Sequence, residues 1–263
     1  MTKHVLIAII CCVLFSLAGC SSQKVQHHEA ITTSTANDLC SAQSKNERLK
    51  MAVLWYENAG EMKALYYQGY RLGKQVVDRS LQQHIAKKRA IVLDIDETVL
   101  NNGPYLESLV KSGTDDFDHD FGEWVEKAEA KPLPGVRDFL NYVNRKGIDI
   151  YYISNRNERH LEATMKNLKM AGLPQVTSSH VLLKTNEASK ESRRQLVEKN
   201  HEIIALFGDN LIDFAHEFDG KSTAERNNEV EQMQQLFGDK FIVFPNSIYG
   251  SWDDDLDCRI KGA

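Results

Sequence analysis

The chain has 263 residues, 42% of them hydrophobic and 26% charged, with 5 Pro and 15 Gly, which is enough apolar material for one large domain and excludes a globally disordered chain. A net charge of -5 with scattered Lys and Arg excludes a non-specific nucleic-acid binder that relies on counterion release, so no nucleic-acid polymer is expected as a partner. A small anionic substrate would need a local positive site.

Met1-Thr2-Lys3-His4 precedes the apolar run Val5 to Leu17, the length and order of a secretory signal rather than of a spanning helix. Residues 1–19 are therefore expected to be removed. Leu17-Ala18-Gly19-Cys20 resembles the bacterial lipobox, which implies acylation of Cys20 and attachment to a membrane through lipid. Ser21 rather than aspartate follows the cysteine, and by the sorting rule this implies the outer membrane of a Gram-negative cell. Residues 20–44, rich in Ser, Thr, Gln, His and Asn, read as a tether in which His27-His28 is solvated. Of the five cysteines, Cys11 and Cys12 leave with the signal, and Cys40 and Cys258 either pair or remain thiols.

The folded body is expected over 45–263. From Asn46 apolar residues recur at spacings of three and four through Leu81, predicting two helices that part near Ala59-Gly60. Trp55, Tyr56, Tyr66, Tyr67 and Tyr70 at helical spacing read as core. Lys87-Lys88-Arg89 reads as a solvated turn leading into the strand Ala90-Ile91-Val92-Leu93, which ends in Asp94 and Asp96. Residues 101–132 form an irregular insertion suited to a small cap. Beyond Pro134 the pattern alternates: a helix from Val136 to Lys146, a strand Ile148 to Ser154, a helix from about Glu158 to Met170 and a strand Val181-Leu182-Leu183 followed by Lys184. A helix from about Glu187 to Lys199 and strands Ile203 to Phe207 and Phe241 to Phe244 complete it. The fold class is α/β, a Rossmann-like parallel sheet with helices on both faces, plus a helical N-terminal region and the cap insertion.

In such a sheet ligands bind beyond the carboxyl ends of the strands, and four ends carry chemistry: Asp94 and Asp96, Ser154-Asn155, Lys184, and Asp209 with Asp213. Acid, hydroxyl or amide, lysine and acid are what phosphoryl transfer needs, since positioning and charge neutralisation dominate that reaction. Asp94-Ile95-Asp96-Glu97-Thr98, Ser154, Lys184 and Gly208-Asp209-Asn210-Leu211-Ile212-Asp213 resemble, in order and spacing, the four motifs of the haloacid dehalogenase-like phosphohydrolase superfamily. With the lipobox, Leu100-Asn101-Asn102-Gly103-Pro104-Tyr105, Ser154-Asn155-Arg156 and Asn246 to Trp252, the chain resembles more narrowly the class C acid phosphatases, lipoprotein nucleotidases among them.

The resemblance implies that Asp94 is the nucleophile, forming an aspartyl-phosphate, and that Asp96 is the acid and base. It implies Mg2+ held by the Asp94 and Asp209 carboxylates and the Asp96 backbone carbonyl, with Asp213 supporting from behind. Ser154, the Asn155 backbone and Lys184 would hold the phosphate. Lys190 is a rival to Lys184, which is preferred because it directly follows an apolar strand whereas Lys190 falls inside the expected helix. Phe117 and Tyr249 are candidates to stack on a base, while Trp124 reads as core. The expected activity is a magnesium-dependent acid phosphatase acting on nucleoside 5'-monophosphates, nicotinamide mononucleotide being one candidate. The partner is a small phosphomonoester, with a homodimer left open, and the alternative is a non-catalytic ligand-binding or adhesive surface lipoprotein.

Overall fold

The computed structural model describes residues 42–113, 117 and 120–252, all within the unit Leu39–Ala263. The expected signal peptide, Cys20, Cys40, Cys258 and nearly all of the tether lie outside the described residues. Helices α1 (Ala42–Asn58) and α2 (Gly60–Leu81) part at Ala59, whose backbone is extended, so the expected break is in place and α1 starts inside the stretch read as tether. Among the described residues no helix is long and apolar enough to cross a membrane.

Five parallel strands form the sheet, in the order β5 (Val181–Lys184), β4 (Asp149–Asn157), β1 (Lys88–Leu93), β6 (His201–Gly208), β7 (Phe241–Val243). Lys88 and Arg89, expected in a turn, open β1. The period-two alternation of that strand sends Ile91 and Leu93 to the larger core cluster and Ala90 and Val92 to a second cluster with Val197, Leu206 and Phe214 on the opposite face. Both faces are therefore covered, which is why β1 reads as a continuous apolar run. Each fully buried aliphatic side chain of this strand contributes about 1.5–3 kcal/mol.

Helix α2 lies against β6 and β7 with Tyr66 stacked on Phe244, ring centroids 4.7 Å apart, and Tyr70 5.3 Å from Phe139. The close approach needs Gly73, where an added Cβ would come within 2.5 Å of the Phe207 ring. Tyr56, Tyr66 and Tyr70 are core as expected, whereas Tyr67 is 54% exposed. Two of these rings also work at their tips: Tyr70 Oη donates to the Thr98 carbonyl at 2.6 Å, and Tyr66 Oη donates to the Glu97 carbonyl. Aromatic packing on the sheet thus pins the loop that follows Asp96.

The cap insertion contains α3 (Gly103–Ser112) and α4 (Phe121–Lys127) and is closed at its base by β2 (Leu100–Asn101) paired antiparallel with β3 (Lys131–Pro132). α3 packs on α1, and α4 packs on α6 (Leu161–Met170). Helix α5 (Val136–Arg145) precedes β4, and a short 3-10 turn, Glu158–His160, links β4 to α6.

Two boundaries differ in ways that matter. β4 runs past Ser154 to Asn157, and helix α7 spans only Glu191–Glu198, so Lys190 precedes it. Helix α8 (Thr223–Gln232) was not expected, because its residues carry almost no apolar stripe. Its start is nonetheless written in the chain, since Ser222 and Glu225 form a reciprocal capping box.

Candidate active site

The β1 register sets the geometry. Leu93 pairs with Tyr152 on one side and Phe207 on the other, and the Asp94 N–H donates to the Phe207 carbonyl at 2.9 Å, so the ends of β1, β4 and β6 lie level. A cavity of about 460 Å³ opens there, lined by Asp94, Asp96, Ser154, Asn155, Asp209 and Asp213 together with side chains of the cap. Lys184 lines it too, so all seven strand-end residues expected to act together share this cavity.

Carboxylate oxygens of Asp94, Asp209 and Asp213 lie within 4.8 Å of one another. Burial, then repulsion from the neighbouring acids, raises Asp94 well above the usual carboxylate range despite Lys190, and burial with the Asp213 charge pushes Asp209 up to about 8. Two buried acids and a half-buried third, with oxygen donors and too little positive charge, fit a hard divalent cation. Asp209 is oriented by Asn246 Nδ2 at 2.8 Å and Thr98 Oγ1 at 3.1 Å. Asp213 accepts the Asn210 N–H at 3.0 Å, and a Cβ at Gly208 would meet its carboxylate at 2.3 Å, so only glycine fits beside it.

Asp96 has the opposite surroundings. Burial alone would raise its carboxyl, but the Arg156 charge and hydrogen bonds, helped by Asn102, hold it below the usual range. Asn102 Nδ2 donates at 2.8 Å, Ser154 Oγ at 3.2 Å and Arg156 Nη2 at 2.7 Å. Trp124 Nε1 in turn donates to Asn102 Oδ1 at 2.8 Å, so this core tryptophan also fixes which way the amide faces. The Asp96 carboxylate is thus engaged by Arg156, Asn102 and Ser154 and is not one of the three carboxylates that converge.

Of the two rival lysines, the one that faces the acids is Lys190. Lys190, 3% exposed, has its ammonium against Asp94 Oδ1 and 2.6 Å from Asp213 Oδ1, while Lys184 lines the same cavity with no ion-pair partner among the described residues. Burial opposes the Lys190 charge, but Asp213 and Asp94 outweigh it and raise the lysine. The expected helix over 187–199 starts later, at Glu191, which frees Lys190 to turn inward.

Arg156, Asn102, Asn246 and Arg193 carry contacts that strand-end reasoning did not assign, and Lys190 stood there only as the rival lysine. Arg193 donates to the Ser154 carbonyl at 2.6 Å, Asn155 Oδ1 at 2.7 Å and the Ser189 carbonyl at 3.1 Å. Arg194 donates to the carbonyls of Ile212 and Asp213, each at 3.0 Å. Three cations at the start of one helix, Lys190 just before it and Arg193 and Arg194 in its first turn, oppose its dipole, and each is offset by acceptors from the loops of the site. That crowding was the available signal.

At the mouth, Phe117 and Tyr249 both line the cavity, with ring centroids 4.5 Å apart, and Phe121 lies 4.7 Å from Phe117. Tyr249 Oη also donates to the buried Glu97 carboxylate, so the ring is tied to the Asp96 loop.

The family described as HAD superfamily, subfamily IIIB (Acid phosphatase) matches residues 14–252. A solved structure of a class C acid phosphatase from Bacillus anthracis with tungstate bound is 50% identical, covering 83% of this chain and 92% of that one, with a TM-score of 0.79. A second structure of the Bacillus anthracis enzyme is 49% identical with the same coverage and TM-score. Acid phosphatase 1 of Solanum lycopersicum is 31% identical over 132 residues, 46% of this chain and 50% of that protein. The chain thus spans about half the length of that curated relative.

Proposed function

Since the chain belongs to the HAD superfamily, subfamily IIIB (Acid phosphatase), we propose that it is a magnesium-dependent acid phosphatase that hydrolyses nucleoside 5'-monophosphates through an aspartyl-phosphate on Asp94. The observation that carries this reading is the opposite treatment of two carboxylates two residues apart. Asp94 faces Lys190 and the acidic group, as a nucleophile should, and Asp96 is held by Arg156 and Asn102, outside that group and free to move a proton.

Asp94 attacks phosphorus, the bond to the leaving oxygen breaks, and Asp96 gives that oxygen its proton. Asp96 then takes a proton from water as the water attacks the aspartyl-phosphate, which releases phosphate and restores Asp94. Ser154, the Asn155 backbone and Lys190 hold the phosphoryl oxygens, and lysine offsets the charge gathering on them. The Asp94 and Asp209 carboxylates and the Asp96 carbonyl would hold magnesium, with Asp213 beside them, and when bound it would neutralise both the buried acids and the phosphoryl oxygens.

The tungstate bound to the Bacillus anthracis enzyme is a tetrahedral oxyanion like phosphate, which supports an oxyanion site in this chain as well. Phe117, Phe121 and Tyr249 at the mouth support a flat leaving group. Leu17-Ala18-Gly19-Cys20 supports lipid anchoring through Cys20, tested by loss of a fatty-acid mass increment in C20S, and Ser21 after it supports an outer-membrane location.

Phosphate release from a panel of nucleoside monophosphates tests the catalytic reading. D94N should abolish turnover in the soluble domain, and full activity in D94N, or nucleotide binding without phosphate release, would overturn it. Activity unaffected by chelation would remove magnesium from the account.

A further inference from the structure

The cations around the cavity fall into two groups. Lys190 is committed to Asp94 and Asp213, and Arg156 to Asp96. Arg159 and Lys184 line the same cavity, yet among the described residues neither has a carboxylate partner, although four aspartates line that cavity too. A cation left unpaired beside so many acids has either been left to water or is kept for a ligand.

Arg159 is exposed at the rim but not loose. Its Nε donates to His160 Nε2 at 2.9 Å, and an imidazole that accepts there carries its proton on Nδ1, the atom facing Glu126 Oε1. Glu126 sits on α4 of the cap, His160 is buried in the turn after β4, and the relay therefore joins cap to sheet while fixing the base of the guanidinium. The two terminal nitrogens of Arg159 have no hydrogen-bond partner among the described residues. Nη2 lies 3.6 Å from where a Cβ on Gly122 of α4 would stand, and Phe117 and Phe121, the rings that would face a leaving group rather than the reacting phosphate, line the same cavity.

We propose that Arg159, with Lys184 on the same wall, forms a subsite for a second anionic group carried by the leaving alcohol, so that the preferred substrates are phosphomonoesters bearing a further phosphate or carboxylate. This rests on the phosphatase reading of the site and specifies its substrate class. A guanidinium offers a planar fork to a phosphate or carboxylate, and the relay through Nε leaves that fork unspent.

The test compares kcat/KM for adenosine 3',5'-bisphosphate against adenosine 5'-monophosphate, and for 4-carboxyphenyl phosphate against phenyl phosphate, in wild type, R159Q and R159K. Wild type should favour the doubly anionic member of each pair. R159Q should lower that preference by about three- to tenfold, the range for an exposed charge-assisted contact, with kcat/KM for phenyl phosphate unchanged and R159K recovering part of the preference. Equal loss on both members of a pair would mean general electrostatic attraction, and no loss would mean a solvated arginine; either result overturns the subsite. If adenosine 5'-monophosphate is inert while phenyl phosphate is hydrolysed, the nucleotide reading fails and the aryl pair still decides the subsite.

Discussion

Arg156 closes on Asp96 as a fork, with Nη2 2.7 Å and Nε 3.0 Å from Oδ1, and its side chain is 1% exposed. An acid held this way keeps a low pKa, so its protonated form becomes plentiful only as the pH falls. For a group that must donate a proton to the leaving oxygen, this places fastest turnover in the acidic range.

The first prediction follows from that pair. R156Q removes the charge that lowers Asp96, so the Asp96 pKa rises and the descending limb of the kcat/KM against pH profile moves to higher pH. Breaking a buried ion pair also costs about 3–5 kcal/mol of stability, seen as a fall in Tm. A limb that stays in place with a lowered Tm would mean that Arg156 only holds the fold.

Exchange of the two lysines gives the second. Lys190 faces the nucleophile and Lys184 does not, so K190A should lower kcat on phenyl phosphate by about 10²–10³-fold, the usual cost of one lost group that stabilises transition-state charge. K184A should cost less than about tenfold on that substrate. The reverse order would restore Lys184 as the phosphate lysine.

What could be read in the chain before its structure was the frame and the acids. β1 is buried on both faces, and its apolar run ending in Asp94 and Asp96 reads as more than an acidic turn only with Ser154, Lys184 and Asp209 at the later strand ends. The clamps around the acids were harder because they depend on boundaries. With β4 ended at Ser154, Arg156 falls into a loop; with β4 continuing to Asn157, period two puts Arg156 on the buried side with Ser154. Lys190 was ranked behind Lys184 in the same way, by a helix begun four residues too soon. Asn102 and Trp124 act through a contact across the cap, which no local pattern records.

Arg193 supports the third prediction. It ties the Ser154-Asn155 segment to the Ser189 carbonyl, and so sets the distance between the phosphate-binding amides and Lys190. R193K keeps the charge but cannot bridge three acceptors with a planar fork, and should raise KM and the inhibition constant for tungstate together, by about tenfold. Added guanidinium ion should recover part of the loss. A change in kcat alone would argue against a positioning role.

The fourth concerns metal and pH together. Burial, then the Asp96 charge, pushes Glu97 from 4.5 up to about 8, and Asp209 is likewise raised from 3.8 to about 8. Below both unfolded values the two states carry the same protons. As pH rises towards 8 the unfolded chain releases these protons first, so the metal-free folded state holds more of them and loses stability through that window. Tm of chelated protein should therefore fall between pH 4.5 and pH 8. Magnesium should restore it at pH 8, by about 2.7 kcal/mol at a hundredfold excess over its Kd, and much less at pH 4.5, where protons compete for the same oxygens. E97Q should raise Tm of the metal-free protein at pH 8 and leave it little changed at pH 4.5, because it removes a charge present only at the higher pH. A metal-free Tm that is flat across the window would mean that these carboxyls ionise normally, and the case for a cation among Asp94, Asp209 and Asp213 would lose its electrostatic support.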